Sequence, residues 1–234
     1  MKIVQHQEIE PKSTIKTVTI SKTPSNEYYV SIIVEYESQV LKVILKTFVG
    51  LDYSMKELYV SSEGETPKYP QFYRKSEKKL SKLQRRFSRK VKGSNNREKY
   101  RRRLSKIHTK VTNQRRDFLH KLSYHLIETY DCICIEDLNM KAMSKALKFG
   151  KSVHDNGWGM FTRMLDYKCE WYGKTLVKID KFEPTSQKCH CCGYKSVETK
   201  ELSVRKWRCP KCGAYHDRDV NAAINIREAG KKLI

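Results

Sequence analysis

The chain has 234 residues, 38% of them hydrophobic, which is enough to bury the core of one moderate domain or of one domain with a small insert. Its 48 Lys and Arg against 26 Asp and Glu leave a formal charge of +22, so the favoured partner is a polyanion, with nucleic acid first. No apolar run reaches the roughly 18 residues of a membrane span and the first residues hold no apolar signal core, which predicts a cytoplasmic protein with no membrane partner and with reduced thiols.

In chain order, "TIKTVTISKTPSNEYYVSIIVEYES" predicts a β hairpin whose turn is Thr23 to Asn26 and whose second strand alternates from Tyr28 to Tyr36. The run "VILKTFVGLDYSMKELYVSSEGE" predicts a strand to Leu51, a turn around Ser54 and a second strand from Leu58 to Val60. Asp52 then falls at a strand end. There it serves either as a turn aspartate capping local backbone or as a ligand.

From Arg74 to Tyr130 the chain carries 20 basic and 4 acidic residues, a surplus of 16 within the total of +22. Leu80, Leu83, Phe87 and Val91 recur at helical spacing, Gly93 to Asn96 break the pattern, and Tyr100, Leu104, Ile107 and Val111 resume it. An antiparallel helical hairpin is expected, with Arg85, Arg86, Arg89, Arg101, Arg102 and Arg103 turned to phosphates and too few acids nearby to neutralise them. Backbone contacts of this kind read no bases, so charge leaves RNA, DNA and a hybrid equally open.

The short apolar run Cys132 to Ile135 suits a buried strand, and Glu136 and Asp137 stop it. A carboxylate next to a core is rarely tolerated unless paired, capped or metal-bound, although Asp137 could cap the following segment. A helix from Trp158 to Tyr172 ended by Gly173 and a strand from Thr175 to Ile179 follow, with Phe161, Leu165 and Trp171 read as core packing and His154 as a loop residue.

Cys189 and Cys192 form one C-x2-C and Cys209 and Cys212 a second, with 16 residues between the pairs. Two tight turns of this kind aim four thiolates at one tetrahedral Zn2+ and leave no open position, so the ion is structural. Cys191 breaks the pair spacing and is unassigned, Cys132, Cys134 and Cys169 read as small core residues, and Trp207 as packing for the knot. The basic residues around the knot, Lys195, Lys200, Arg205, Lys206 and Arg208, could touch nucleic acid. In "HDRDVNAAINIREAG", Asp217 or Asp219 precedes a helical pattern, each able to act as an N-cap. Acids from two strand ends and a helix start could converge to hold Mg2+ or Mn2+, the arrangement that hydrolyses phosphodiesters with two ions.

The segments "GLDYSMKELYV", "CIEDLNMKAM", the paired cysteines and "HDRDVNAAINI", in this order, resemble the TnpB/OrfB family of transposon-encoded proteins, from about Ile15 to Gly230. The resemblance implies a ribonuclease H-like (RuvC) α/β fold. Its expected parts are a mixed sheet with helices, an N-terminal β hairpin, a basic helical hairpin insert and a zinc-ribbon insert. It also implies an RNA-guided DNA endonuclease related to type V CRISPR effectors, with Asp52, Glu136 and Asp219 as catalytic acids, Asp217 in reserve for the third, and DNA and a guide RNA as partners. Ser54 stands where the family more often has glycine, and Met1 falls where a family member would already be past its N-terminal region. The expected organisation is a remnant β-rich segment 1–40, a nuclease core 41–180 that includes the basic hairpin 74–130, a zinc ribbon 181–215 and a final segment 216–234. The rival expectation is a truncated, non-cleaving nucleic-acid-binding protein or regulator.

Overall fold

A computed structural model describes all residues except 1–3, 6–7, 10, 38–39, 147–154 and 202; His154 lies outside the described residues. The chain forms two compact units, Met1–Val40 with Lys75–Thr112, and Leu41–Arg74 with Asn113–Ile234.

In the first unit β1 (Thr14–Lys22) and β2 (Tyr28–Glu35) make an antiparallel hairpin with a register shift between Ile15 and Thr17. Asn26 takes φ 67°, which asparagine tolerates better than most side chains, and the Thr23 and Ser25 hydroxyls close the turn within the predicted tetrapeptide. The alternation from Tyr28 does not bury a face: Ile20, Tyr28, Val30, Ile32 and Ile33 are all exposed. Helix α1 (Phe72–Ser88) and helix α2 (Asn95–Thr129) contribute residues to both units. Between them the Ser94 hydroxyl accepts from the Arg97 N–H at 3.2 Å as the N-cap of α2. The Arg97 guanidinium donates to the Phe87 and Lys90 carbonyls that end α1 and lies 4.2 Å over the Phe87 ring. An arginine of the basic run is thus used to join the two helices.

The second unit is built on a four-stranded mixed sheet of order β4-β3-β5-β6. Strand β3 (Phe48–Ser54) pairs antiparallel with β4 (Leu58–Ser61) and parallel with β5 (Cys132–Glu136), which pairs parallel with β6 (Thr175–Ile179). The all-apolar CICI of β5 is explained by its position, since a central strand of parallel pairs is covered on both faces. One face presents Val49, Leu51, Ile133 and Ile135 to the end of α2, through Leu119, Leu126 and Ile127, and to helix α4 (Trp158–Trp171), through Trp158, Phe161 and Leu165. Trp171, expected in the core, is exposed and only leans on Tyr167, because it lies on the side of α4 away from the sheet. The short helix α3 (Met140–Ala146) follows β5, and its cap is Asn139, whose side chain accepts from the Ala142 N–H at 3.0 Å, rather than Asp137.

The other face carries Gly50, Cys132, Cys134, Val177 and Ile179 and is covered by helix α5 (Arg218–Lys231) through Ala223, Ile226 and Ala229. A Cβ on Gly50 would stand 2.0 Å from the Ala223 carbonyl oxygen and 2.7 Å from the Arg227 nitrogen, so only glycine lets the helix backbone lie this close. At the edges, Asp131 ties β3, β5 and β6 together: its carboxylate accepts from the Lys46 and Thr47 N–H groups, the Thr47 hydroxyl and, at 2.7 Å, the Lys174 ammonium. Among the described residues no helix is long and apolar enough to cross a membrane.

Candidate metal centres and nucleic-acid interface

Side chains alternate between the faces of a strand, and the odd residues 49, 51, 133 and 135 point to the α4 face. Asp52 and Glu136 therefore point to the α5 face. The parallel register pairs Leu51 with Ile135, so the two acids lie side by side on neighbouring strands, Glu136 as the last residue of β5 and Asp52 inside β3, which runs on to Ser54 by pairing with β4 and does not end at Leu51 as expected. The third acid comes from α5. Asp217 is its N-cap, accepting from the Asp219 and Val220 N–H groups at 3.0 and 3.2 Å, which commits that carboxylate to the helix start. Asp219 stands free of the cap in the first turn.

Asp52 senses both of the other carboxylates. Burial raises the Asp52 pKa well above the ordinary carboxylate value, and the negative charges of Glu136 and then Asp219 raise it further, against the opposing pull of Arg218 and Arg205. Burial also raises the Glu136 pKa, while a hydrogen bond from the Thr185 hydroxyl at 2.6 Å works the other way. Asp219 is turned to Arg205, with Nη1 3.2 Å from Oδ2, so Arg205 is an ion-pair partner here. The trio is looser than the thiols: Asp52, Glu136 and Asp219 do not form a group with all ligand atoms within 4.8 Å, as the cysteines do.

Cys189, Cys192, Cys209 and Cys212 do form such a group. Two matching knuckles create it. The Cys189 N–H donates to the Tyr194 carbonyl and the Gly193 N–H to the Cys189 carbonyl; the Cys209 N–H donates to Ala214 and the Gly213 N–H to Cys209, at 2.8 to 2.9 Å throughout. Gly193 and Gly213 take φ of 74° and 73°, the left-handed conformation that closes the turn behind each pair. The strands β7 (Lys206–Arg208) and β8 (Tyr215–Asp217) lead into the second knuckle and on to α5, and Trp207 is buried against His216 with ring centroids 4.7 Å apart. Four thiolates at this spacing are the donor set of a closed tetrahedral site for a soft ion such as Zn2+.

Sequence reasoning passed over three residues around this knot. The buried His216 places Nε2 3.1 Å from the Cys189 sulfur, and Cys189, Cys191 and His216 form a second group with ligand atoms within 4.8 Å. Asn221 accepts from the His190 backbone N–H and lies 3.0 Å from Nδ1 of its ring, and it donates to the Lys188 carbonyl. Asn225, one turn on, donates to the Lys188 and Thr185 carbonyls. The repeat of asparagine at i and i+4 on a helix that follows a C-x2-C pair was the available signal, since both amides then face the first knuckle.

The basic residues divide into two sets. Arg85, Arg86 and Arg89 are exposed. Arg101 and Arg102 instead bind Glu98, at 2.6 and 3.0 Å, so the single acid of that turn neutralises part of the arginine cluster. The resulting Glu98 carboxyl is held down to about 2 by hydrogen bonds from Arg101 and Arg102. Arg102 and Arg103, with Lys99, Lys106, Asn95 and the Asn26 turn, line a cavity of about 530 Å³.

A mixed α/β sheet with this connectivity is the fold of two solved structures. One is the Cas12f1-sgRNA-target DNA complex, at TM-score 0.52 and 15% identity over 90% of this chain and 55% of that chain. The other is the CRISPR-Cas12f ternary complex, at TM-score 0.54 and 16% identity over 86% and 42%. Residues 31–147 match the OrfB_IS605 family, described as probable transposase, and residues 158–226 match the TNB domain described as Cas12f1-like. The chain belongs to the OrfB_IS605 family. Its relatives include a Streptomyces pristinaespiralis protein, 41% identical over 92% of this chain and 52% of that protein, named "Putative RNA-guided DNA endonuclease". An Escherichia coli relative of the same designation, InsQ, is 34% identical over 94% of this chain and 58% of its own length. The chain thus spans about half the length of the curated relatives it matches.

Proposed function

We propose that this chain carries the catalytic part of a transposon-associated, RNA-guided DNA endonuclease, working in the cytoplasm on a sheet of the RuvC, ribonuclease H-like type. In this reading Asp52, Glu136 and Asp219 hold Mg2+ or Mn2+ and Cys189, Cys192, Cys209 and Cys212 hold a structural Zn2+. The organisation proposed is a β-rich segment 1–40, a nuclease core 41–180 with the basic hairpin 74–130 inside it, a zinc ribbon 181–215 and a closing segment 216–234. The observation that carries the reading is the placement of Asp52 and Glu136 side by side on neighbouring strands, on the sheet face covered by the helix whose first turn bears Asp219, together with the raised Asp52 pKa to which both other acids contribute.

The donor set fits hard divalent cations, being all carboxylate oxygen, and like charges gathered beside one sheet face are relieved by a cation. Bound there, a pair of such ions supplies an activated water and neutralises charge on the departing oxygen of a phosphodiester. The residues contribute the rest. Asp52 and Glu136 offer oxygens from two rigid strands, Asp219 offers its own once it leaves Arg205, and Arg205 is then released beside the site to face a phosphate. Arg85, Arg86, Arg89, Arg101, Arg102 and Arg103 are assigned to the nucleic-acid backbone, the first three without giving up an ion pair to Glu98.

The Asp219–Arg205 ion pair favours a second reading, a nucleic-acid-binding protein that does not cleave, because it neutralises one acid of the trio. Incubating the purified chain and its co-purified RNA with labelled DNA and Mg2+ decides between them. Cleavage that disappears in Asp52→Ala is expected; tight binding with no cleavage under any condition would establish the second reading. Sequencing the co-purified RNA is expected to return one defined species, and a heterogeneous pool would remove the guided part of the proposal.

A further inference from the structure

Glu136 is the only acid of the trio whose carboxylate accepts from a neutral side chain, and that donor comes from the segment entering the ribbon. Thr185 is 4% exposed and its hydroxyl donates to Oε1 of Glu136 at 2.6 Å, a short charge-assisted contact. Its backbone is held from the other side: the Asn225 amide of α5 donates to the Thr185 carbonyl at 2.8 Å and also to the Lys188 carbonyl. Asn221, 1% exposed, donates to Lys188 as well. The loop between β6 and the first knuckle is therefore strapped along α5, the helix whose first turn carries Asp219.

We propose that Thr185 is a positioning residue for Glu136, fixing which carboxylate oxygen faces a divalent cation, and that Asn225 holds Thr185 in place from the helix that bears Asp219. This rests on the metal-binding reading of Asp52, Glu136 and Asp219. Thr185 touches neither ion nor substrate. Its hydroxyl uses one lone pair of Oε1 and holds the plane of the carboxylate, so that Oε2 is the oxygen left without a hydrogen bond, the role that hydrogen-bond partners behind metal ligands play generally. Because Asn225 and Asp219 share α5, a displacement of the helix start moves Asp219 and, through Thr185, the orientation of Glu136 together.

The test compares Thr185→Val, which keeps the shape and removes the hydroxyl, with Thr185→Ser, which keeps the hydroxyl. Both are read by Mn2+ affinity from electron paramagnetic resonance titration, with zinc content and Tm measured alongside, and with Glu136→Gln and Asp52→Asn as references. The expected result is a roughly tenfold weaker Mn2+ affinity in Thr185→Val, near-wild-type affinity in Thr185→Ser, and unchanged zinc content in both. Wild-type affinity in Thr185→Val while Glu136→Gln weakens binding would overturn this inference and leave the proposed function standing. Equal loss in Thr185→Ser, with zinc content or Tm falling in step, would make Thr185 a packing residue and also overturn it. Mn2+ binding indifferent to Glu136→Gln and Asp52→Asn would remove the metal site and this inference with it.

Discussion

Two aspartates of the same sheet respond to pH in opposite directions. Asp52 has its pKa raised by burial and by the charges of Glu136 and Asp219. The folded state therefore holds this proton more tightly than the unfolded one, and stability falls as pH rises from the ordinary value of about 4 up to the elevated folded value. Asp52→Asn removes that penalty, so in metal-free buffer near neutral pH its Tm is expected to exceed wild type by a few degrees, at about 2–4 °C per kcal/mol for a chain of this size. A lower or unchanged Tm in a calorimetric scan would mean the charge is compensated. Asp131 is the reverse. The Lys174 ammonium, then the Thr47 backbone N–H, hold its carboxyl below the ordinary range, so its contribution is present above pH 4 and lost as pH falls through the folded value. Asp131→Asn should cost about 1–3 kcal/mol at neutral pH, since the Lys174 ammonium then loses its partner, and the deficit should shrink in acid. Urea titrations at two pH values measure both. Asp52 was visible in the sequence as an acid directly after an apolar run, although it lies inside β3 and not at its end, whereas Asp131 was not visible, because its four donors come from residues 46, 47 and 174 and local pattern carries no record of them.

Helix α5 is the element on which the proposed chemistry turns. Its register against the sheet is set by small residues: Ala223 over Gly50 at the centre, with Cys132 and Cys134 beneath its second half. Gly50→Ala inserts a methyl into backbone at 2.0 Å, which must push the helix off β3. The expected cost is about 3 kcal/mol, the upper end for overpacking. Divalent-ion binding should weaken more than in a variant of equal stability elsewhere in the core, since Asp219 moves with the helix. Calorimetric titration of Mn2+ into the two variants makes the comparison. The ribbon is the second element to test. On the proposed reading, in which the four cysteines hold Zn2+, a strong chelator should unfold it, as small four-cysteine knots depend on the ion, and hydrogen exchange should rise across residues 185–217 while β3 and β5 stay protected. Protection unchanged across 185–217 would show that the knuckle hydrogen bonds suffice without a metal. The boundaries of β5, α4 and β6 were largely legible because hydrophobic period and turn chemistry agree there, whereas the end of β3 was misplaced at Leu51, because pairing with β4 carries the strand on through polar residues to Ser54. The exposed hairpin faces and exposed Trp171 were not, since alternation and helical spacing identify an apolar side but not what covers it.

Over the whole molecule the surplus charge sets how the proposed nucleic-acid partner would be held. Of the net +22, a surplus of 16 lies between residues 74 and 130. Arg97 is engaged with carbonyl groups at the end of α1 and Arg101 and Arg102 with Glu98. A triple Arg85, Arg86 and Arg89 to Ala variant should therefore flatten the salt dependence of DNA or RNA binding by up to about 3 in the log–log slope, at roughly 0.7–0.9 per phosphate contact. Arg101→Ala should change it by less than 1, because binding through Arg101 first requires breaking its pair with Glu98. Fluorescence anisotropy across a salt series reads both slopes, and equal slopes in the triple variant and wild type would take those three arginines out of the interface. Charge, the cysteine spacing and the acids that follow apolar runs are properties of short stretches of chain, and they were readable because their physical meaning does not depend on what lies elsewhere. Folding added the relations between distant stretches. It set Asp52 and Glu136 side by side on one face through the parallel register of β3 and β5, separated Asp217 as the helix cap from Asp219, whose carboxylate it gave to Arg205, and set Thr185 on Glu136. Each of those depends on a contact between residues far apart in the chain, selected by close packing and the demand that buried polar groups find partners, and no local pattern encodes such a contact.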